Sequence, residues 1–226
     1  MKTRYRWVLI NIDISLDDLV NIILNNGFDS RANKGYIVNN LDHDSIDAVF
    51  VERVIQYEKI NRPDGTEDEI KIERFLYTYF VISIFSGNKF LIRIENSPRT
   101  LNEFIMYLKK ILDYNFFVES VNINIFKLIP LMMNDTLKNI NIKKIKASNI
   151  IINTYSSAIV EVTSSINALD IFMDKFKVKD FKLEYAKLTF SYDNTTYTLD
   201  IKNSGITVDN MAPIDLIEKL ICHEYI

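Results

Sequence analysis

The sequence predicts an α+β fold, a mostly antiparallel sheet with helices packed on one face, built from successive β-hairpin-plus-helix units. Three observations predict it. Segments that alternate apolar and polar residues are joined in pairs by short turn sequences, as in β-hairpins. Each pair precedes a segment with apolar residues at helical spacing. This order occurs three times along the chain with poor residue identity, so the architecture recurs without a detectable sequence repeat.

The N-terminal region predicts a strand followed by a helix. The strand covers residues 4–13 and is mainly apolar. Ser15 has the side chain of a helix N-cap, and apolar residues at helical spacing then extend the helix to residue 26. Gly27 ends it, and the polar stretch 27–47 is predicted to be a surface loop.

The first hairpin-plus-helix unit is the longest. The turn sequence Arg62-Pro63-Asp64-Gly65 joins two strands, and Gly87-Asn88 joins the second strand to a third. Ser97-Pro98 then opens a helix. The predicted elements are strands at 48–60, 70–85 and 89–95 and a helix at 98–113.

The C-terminal region predicts two further units. Their elements are strands at 150–154 and 158–163 with a helix at 166–176, and strands at 188–193 and 196–202 with a helix at 213–222. In the last hairpin an Asn194-Thr195 loop would place Tyr192 opposite Tyr197 and Phe190 opposite Leu199.

The domain organisation depends on the segment 125–137. It is apolar all round and interrupted by Pro130, which fits a short buried helix or a crossover between two halves. We therefore predict an N-terminal α+β half at 1–124 and a C-terminal α+β half at 125–226. One continuous domain is the alternative.

Composition excludes several classes of protein. Hydrophobic residues make up 48% and charged residues 25%, so the chain is not disordered by composition. The net charge of -3 disfavours nucleic acid as a general partner. The apolar stretch 7–14 is too short for a membrane span. The single cysteine, Cys222, suits a reducing compartment, and we predict a cytoplasmic location with no membrane partner. The Ile- and Asn-rich composition is typical of AT-rich microbial genomes.

Two acidic segments are candidate metal sites for a phosphoryl-transfer or phosphodiester enzyme with scattered carboxylates, which is the first alternative function. Asp42, His43, Asp44 and Asp47 match no known metal-loop spacing. Pro63-Asp64 with Glu69-Ile70-Lys71 reproduces the letters of a Mg²⁺-dependent nuclease motif, but only four residues separate its two parts, inside a hairpin turn. We predict no metal site at either place, and the sequence identifies no catalytic or cofactor-binding residue and implies no cofactor.

The second alternative is nucleic-acid binding through a lysine cluster. Lys138, Lys143, Lys144 and Lys146 form the densest basic stretch of the chain. They are interleaved with isoleucines, a pattern equally typical of an amphipathic element with one solvated face.

The favoured function is that of a protein-interaction or scaffold subunit, in a homo-oligomer or a microbial multi-protein assembly. Antiviral defence is a background expectation for such an assembly, supported by no residue. With a Gly87-Asn88 loop, the residues predicted to share one partner-binding face are Phe80, Ile82, Ile84, Leu91 and Arg93. The competing explanation is that the 27–47 loop or the 125–137 segment covers this face.

Overall fold

The computed structural model describes residues 2–29, 31–63, 65–98, 101–112, 116–134, 137–177, 180–209 and 211–223. Internal contacts divide the chain into two compact units. The N-terminal unit contains residues 7–120, and the C-terminal unit contains residues 1–6 together with 121–226. The predicted halves, 1–124 and 125–226, differ from these units mainly in assigning the first six residues to the N-terminal half.

The N-terminal unit is a sheet with two helices. Its strands are ordered β2-β3-β4-β5-β1, and β6 pairs antiparallel with β1. The β2-β3, β3-β4 and β4-β5 pairs are antiparallel. Its elements are β1 (Lys2–Asn11, from Trp7 onward), α1 (Leu16–Asn25), β2 (Lys34–Leu41), β3 (Ser45–Asn61), β4 (Glu67–Ser86), β5 (Lys89–Glu95), α2 (Asn102–Leu112) and β6 (Phe117–Ser120).

The C-terminal unit is also an antiparallel sheet with helices. The start of β1 pairs with β11, and the order continues β10-β9-β7-β8. The remaining elements are α3 (Ile125–Asn134), β7 (Lys138–Asn153), β8 (Ser156–Thr163), α4 (Ala168–Phe176), β9 (Lys182–Tyr192), β10 (Thr195–Lys202), β11 (Gly205–Asp209) and α5 (Ile214–His223).

The predicted fold class is confirmed: the chain is α+β with a mostly antiparallel sheet. The order of hairpin then helix occurs as β4-β5-α2 and β7-β8-α4. In the third occurrence, the extra strand β11 lies between the β9-β10 hairpin and α5.

Local sequence explains where α1 begins and which side it buries. Ser15 and Asp18 form a capping box, in which the Asp18 amide donates to Ser15 Oγ at 3.1 Å and the Ser15 amide donates to the Asp18 carboxylate at 3.4 Å. Leu16, Leu19 and Ile23, at helical spacing, are buried. Helix α1 is therefore fixed by its cap and by its apolar stripe.

The core of the N-terminal unit lies between one face of its sheet and the helices α1 and α2. Aromatic rings fill its centre, where Phe80 and Phe104 have ring centroids 4.9 Å apart and Tyr36 and Phe50 5.6 Å apart. The buried strand residues of this core are Val8, Ile10, Tyr36, Ile46, Ala48, Phe50, Phe80, Ile82, Phe90, Ile92 and Ile94.

One prediction of secondary structure is wrong, and one that had two alternatives is now decided. Residues 27–47 were predicted to be a loop, but they contain the edge strand β2. Tyr36 of this strand packs into the core and is only 2% exposed. The polar residues of β2 are tolerated because one side of an edge strand faces water. They interrupt the alternation of apolar and polar residues from which a strand would have been predicted. The ambiguous 125–137 segment forms α3 around Pro130, with Leu128 buried.

None of the described helices is long and apolar enough to cross a membrane.

Candidate functional site

The register of the β4-β5 hairpin decides the outcome for the predicted partner-binding face. Ser86 pairs with Lys89 around the expected Gly87-Asn88 loop, but a bulge follows at Phe85. The residues Phe80, Ile82 and Ile84 consequently lie opposite Ile94, Ile92 and Phe90. Side chains alternate between the two faces of a sheet. This one-residue shift therefore places each β5 side chain on the face opposite to the one predicted relative to β4.

The prediction that the five residues share one face is therefore wrong. Phe80 and Ile82 belong to the core of the N-terminal unit and are covered by its own helices. Leu91 and Arg93 point to the opposite face of the sheet, where Leu91 is only 3% exposed. Ile84 is 49% exposed, and a role in partner binding for Ile84 or Arg93 stays a prediction.

Two of the four predicted lysines share the outer face of the C-terminal unit, the face that its helices leave uncovered. Lys144 Nζ lies 2.6 Å from the Glu161 carboxylate, and Lys146 Nζ lies 3.3 Å from Glu184. Lys187, directly opposite Lys144 on β9, adds a third cation to this face. Exposed pairs of this kind contribute little to stability, but they place counter-charges beside the lysines.

The other two lysines do not extend this group. Lys143 occupies a register shift in β7, and its ammonium donates to the Ser165 carbonyl at 3.1 Å. Lys138 begins β7 opposite Ser191, beside a surface cleft of about 630 Å³. The four lysines are therefore not one patch, and nucleic-acid binding by them stays a prediction.

The acidic segment after β2 forms hydrogen bonds within its own turn. Asn40 donates to the Asp42 carboxylate at 3.0 Å, and Asn39 donates to Asp47 at 2.9 Å. In the part of the chain that the structure describes, no three His, Cys, Asp or Glu side chains converge as metal ligands.

The residues that resemble the nuclease motif lie at the end of the longest hairpin. Glu69 and Lys71 lie on β4, opposite Lys59 and Tyr57 of β3, and both are exposed. Asp64 lies outside the described residues. The absence of a metal site at these three positions stays a prediction.

Cys222 lies at the end of α5, next to His223. Burial, and to a smaller extent the Glu218 carboxylate, raise the pKa of the Cys222 thiol to about 11. A thiol with this pKa is almost fully protonated at neutral pH, which disfavours a role as nucleophile.

A shallow recess of about 520 Å³ lies beside β2 and α2 in the N-terminal unit. Its lining includes Lys34, Met106 and Tyr107. Lys34 forms ion pairs with Glu103 and, at 3.1 Å, with Glu52, and these contacts raise the pKa of Lys34, with Glu103 as the largest cause. The recess therefore offers mainly apolar contact.

The feature that sequence reasoning missed is a two-stranded ribbon. Strand β2 pairs with β3 only as far as Glu52, and β5 pairs with β4 only from Tyr79. The next residue, Arg53, still donates its amide to the Asn33 carbonyl at 2.7 Å. Beyond Arg53, among the described residues, β3 and β4 pair only with each other for eight residue pairs, from Val54-Arg74 to Asn61-Glu67, which we name the ribbon. Eight residues of extended strand measure about 26 Å.

One face of the ribbon and its base carries an exposed apolar stripe. Along β4, Phe75, Tyr77 and Tyr79 alternate outward, and across the pair Ile55 and Tyr57 continue the stripe toward the ribbon tip. Tyr57 is 60% exposed and Tyr77 53% exposed. We name these five residues the aromatic stripe. At the base of the ribbon, the ring of Phe75 meets the ring of Phe28 edge-on, with centroids 6.0 Å apart.

Ion pairs connect the two strands of the ribbon. Arg53 at its base lies 2.6 Å from Glu73, and Lys59 near its tip lies 3.3 Å from Glu67. The ribbon thus carries both signs of charge around the aromatic stripe. The sequence did contain a signal for it, since the predicted strands at 48–60 and 70–85 are much longer than their neighbour at 89–95.

No protein-family model matches the chain, and no curated protein matches it significantly.

Proposed function

We propose that this protein is a protein-interaction subunit that binds another polypeptide chain through the ribbon. The observation that supports the proposal is the extension of β3 and β4 for eight residue pairs beyond their neighbouring strands, with the aromatic stripe running along one face from the base of the ribbon onto it. The proposal includes a cytoplasmic, oligomeric, microbial protein, and the single Cys222 supports the cytoplasmic location.

Backbone chemistry is the first support. Within the described residues, each ribbon strand has one partner strand, so its other edge presents N–H and C=O groups to water. A two-stranded hairpin alone is marginally stable in water. A further strand or a covering chain would satisfy these groups and stabilise the ribbon.

Side-chain chemistry is the second support. Tyrosine and phenylalanine are enriched at the centres of protein interfaces, where their rings bury a large area at low entropic cost. Tyr77, Phe75 and Tyr57 lie on one face and follow one another from the base of the ribbon onto the ribbon itself, flanked by charged residues. An apolar centre with a charged margin is the usual composition of an interface.

A second copy of the chain is the partner that we propose. The free edge of β3 is self-complementary: antiparallel pairing of two copies about Tyr57 would set Gln56 opposite Glu58, Ile55 opposite Lys59 and Val54 opposite Ile60. This pairing contains no like-charge contact, and like charges directly opposite are destabilising.

The test compares Tyr57→Glu/Tyr77→Glu with the wild type by light scattering after size exclusion over a range of concentrations. We expect the wild type to associate and the double variant to associate at least about tenfold more weakly, because charges would replace apolar anchors. Tyr155→Glu is the matched control, since Tyr155 is 97% exposed in the β7-β8 turn of the C-terminal unit.

Thermal melts should show that the double variant keeps the stability of the wild type, since both tyrosines are exposed. If the wild type is monomeric at every concentration, the second-copy partner is wrong. The interaction function is then tested by comparing proteins captured from the native host by wild type and double variant, and identical sets would contradict it.

A further inference from the structure

The outer face of the C-terminal unit carries a row of cations on its first strand. Lys2, Arg4 and Arg6 alternate along β1, so their side chains share this face. Arg4 lies opposite Thr207 of β11, and Thr207 lies opposite Asp200 of β10. Strands β1, β11 and β10 are therefore neighbours here. The row of cations on β1 contrasts with the net negative charge of the chain.

A recess of about 230 Å³ opens among these strands. Lys202 of β10 pairs with Gly205 of β11, and the backbone of β1 approaches Gly205 closely. A methyl group at Gly205 would lie 3.2 Å from Cγ of Arg6 and only 2.2 Å from the Tyr5 carbonyl oxygen. The remaining lining residues are Arg4, Asp200, Ser204, Ile206 and Thr207.

The charges of this recess differ from those around Lys144 and Lys146. Among the described residues, neither Arg6 nor Lys202 has a carboxylate within ion-pair distance. The acidic group in the lining, Asp200, already accepts from Lys2 Nζ at 2.8 Å and from the Tyr185 hydroxyl at 2.5 Å. The recess therefore keeps an excess of positive charge.

We propose that this recess binds the phosphate group of a phosphorylated ligand. Guanidinium groups form paired hydrogen bonds with phosphate oxygens, and the lysine ammonium adds a point charge. The hydroxyl groups of Ser204 and Thr207 supply neutral donors. The volume suits one phosphate group, carried by a small phosphorylated compound or by a nucleic-acid strand, and the proposal is independent of the ribbon.

The test measures binding of pyrophosphate and of a short single-stranded oligonucleotide by isothermal titration calorimetry at low salt. Arg6→Gln/Lys202→Gln should bind at least about tenfold more weakly than the wild type, because two charge-assisted contacts are lost. Lys219→Gln, an exposed lysine on α5 of the same unit, is the matched control and should bind like the wild type. Thermal melts verify that the variants fold.

The two ligands distinguish the sources. Loss of pyrophosphate binding in the double variant supports the proposal with a small phosphorylated compound as ligand. Loss of oligonucleotide binding alone supports it with a phosphodiester strand as ligand. No binding of either ligand to the folded wild type at millimolar concentration, or an equal loss in Lys219→Gln, overturns it.

Discussion

Ile84 lies directly opposite Phe90 across the β4-β5 hairpin, one position away from the partner that an uninterrupted two-residue loop would give it. The bulge at Phe85 causes this shift. Ile82 faces the core that α1 and α2 cover, and its side chain is completely buried. The same strand that would have offered an interface instead forms the centre of the N-terminal core.

The first prediction follows from this burial. Ile82→Asp should unfold the N-terminal unit, because a carboxylate would be placed among apolar side chains without a partner, at a cost of about 3–5 kcal/mol. A thermal melt by circular dichroism should show a collapsed transition.

The control is Ile84→Asp, on the same strand and face but half exposed. It should lower the melting temperature far less. A stable Ile82→Asp protein with reduced association would contradict the burial and restore the interface interpretation.

The last hairpin shows that an error of two residues in the predicted strand register has a smaller consequence than an error of one residue. There the loop is Asp193-Asn194 rather than Asn194-Thr195, and Phe190 lies opposite Tyr197 instead of Leu199. The partner moves by two positions, so each side chain keeps its face, and Phe190 and Leu199 are buried as predicted. A shift of one, as at Phe85, reverses the faces, and no local residue pattern announced that bulge.

Periodicity predicted the helices and most strands because apolar burial imposes it. It could not predict the recess beside Gly205, which depends on β1 pairing with β11 about 200 residues later in the sequence. The alternation of Lys2, Arg4 and Arg6 is visible in the sequence, but only the fold sets Lys202 beside them. The length of the two ribbon strands was predictable from the sequence. The absence of flanking strands, among the described residues, was not.

The second prediction concerns Asp200. Partial burial favours its neutral form, yet hydrogen bonds from Lys2 and Tyr185 outweigh this effect and hold the pKa of Asp200 below its usual range. A lowered pKa in the folded state stabilises the protein above the unfolded-state pKa of about 3.9, and this contribution is lost as the pH falls through the folded-state pKa.

Asp200→Asn should therefore cost about 1 kcal/mol at pH 7, measured by urea unfolding, and the difference from wild type should shrink below about pH 4. The variant should also bind pyrophosphate more tightly, because one negative charge leaves the recess. A cost that is unchanged at low pH would show that the carboxylate charge is not responsible.

The third prediction concerns the reactivity of Cys222. Because its pKa is raised to about 11, the thiolate fraction at pH 8 should be about 100-fold below that of a solvent-exposed thiol with an ordinary pKa of 9.0. Alkylation by iodoacetamide should be correspondingly slow in the native protein and accelerate in urea. The native rate should keep rising up to about pH 11, and a plateau near pH 9 would contradict the raised pKa.

The final prediction is that Gly205→Ala destabilises the C-terminal unit. Gly205 has a φ of 147°, which residues other than glycine rarely adopt. An added Cβ would also lie 2.2 Å from the Tyr5 carbonyl oxygen. That oxygen belongs to the backbone of the neighbouring strand, so β1 and β11 would have to separate, at a cost of at least about 2 kcal/mol.

Gly65→Ala separates the steric effect from the backbone effect. Gly65 also has a positive φ, 84°, but apart from its two chain neighbours no residue has an atom within 4 Å of the position where its Cβ would be. This control should lose only the backbone preference, about 1 kcal/mol. Urea unfolding followed by circular dichroism measures both variants. Equal losses would show that β1 does not approach Gly205 so closely, and the recess that depends on this approach would then have a different shape.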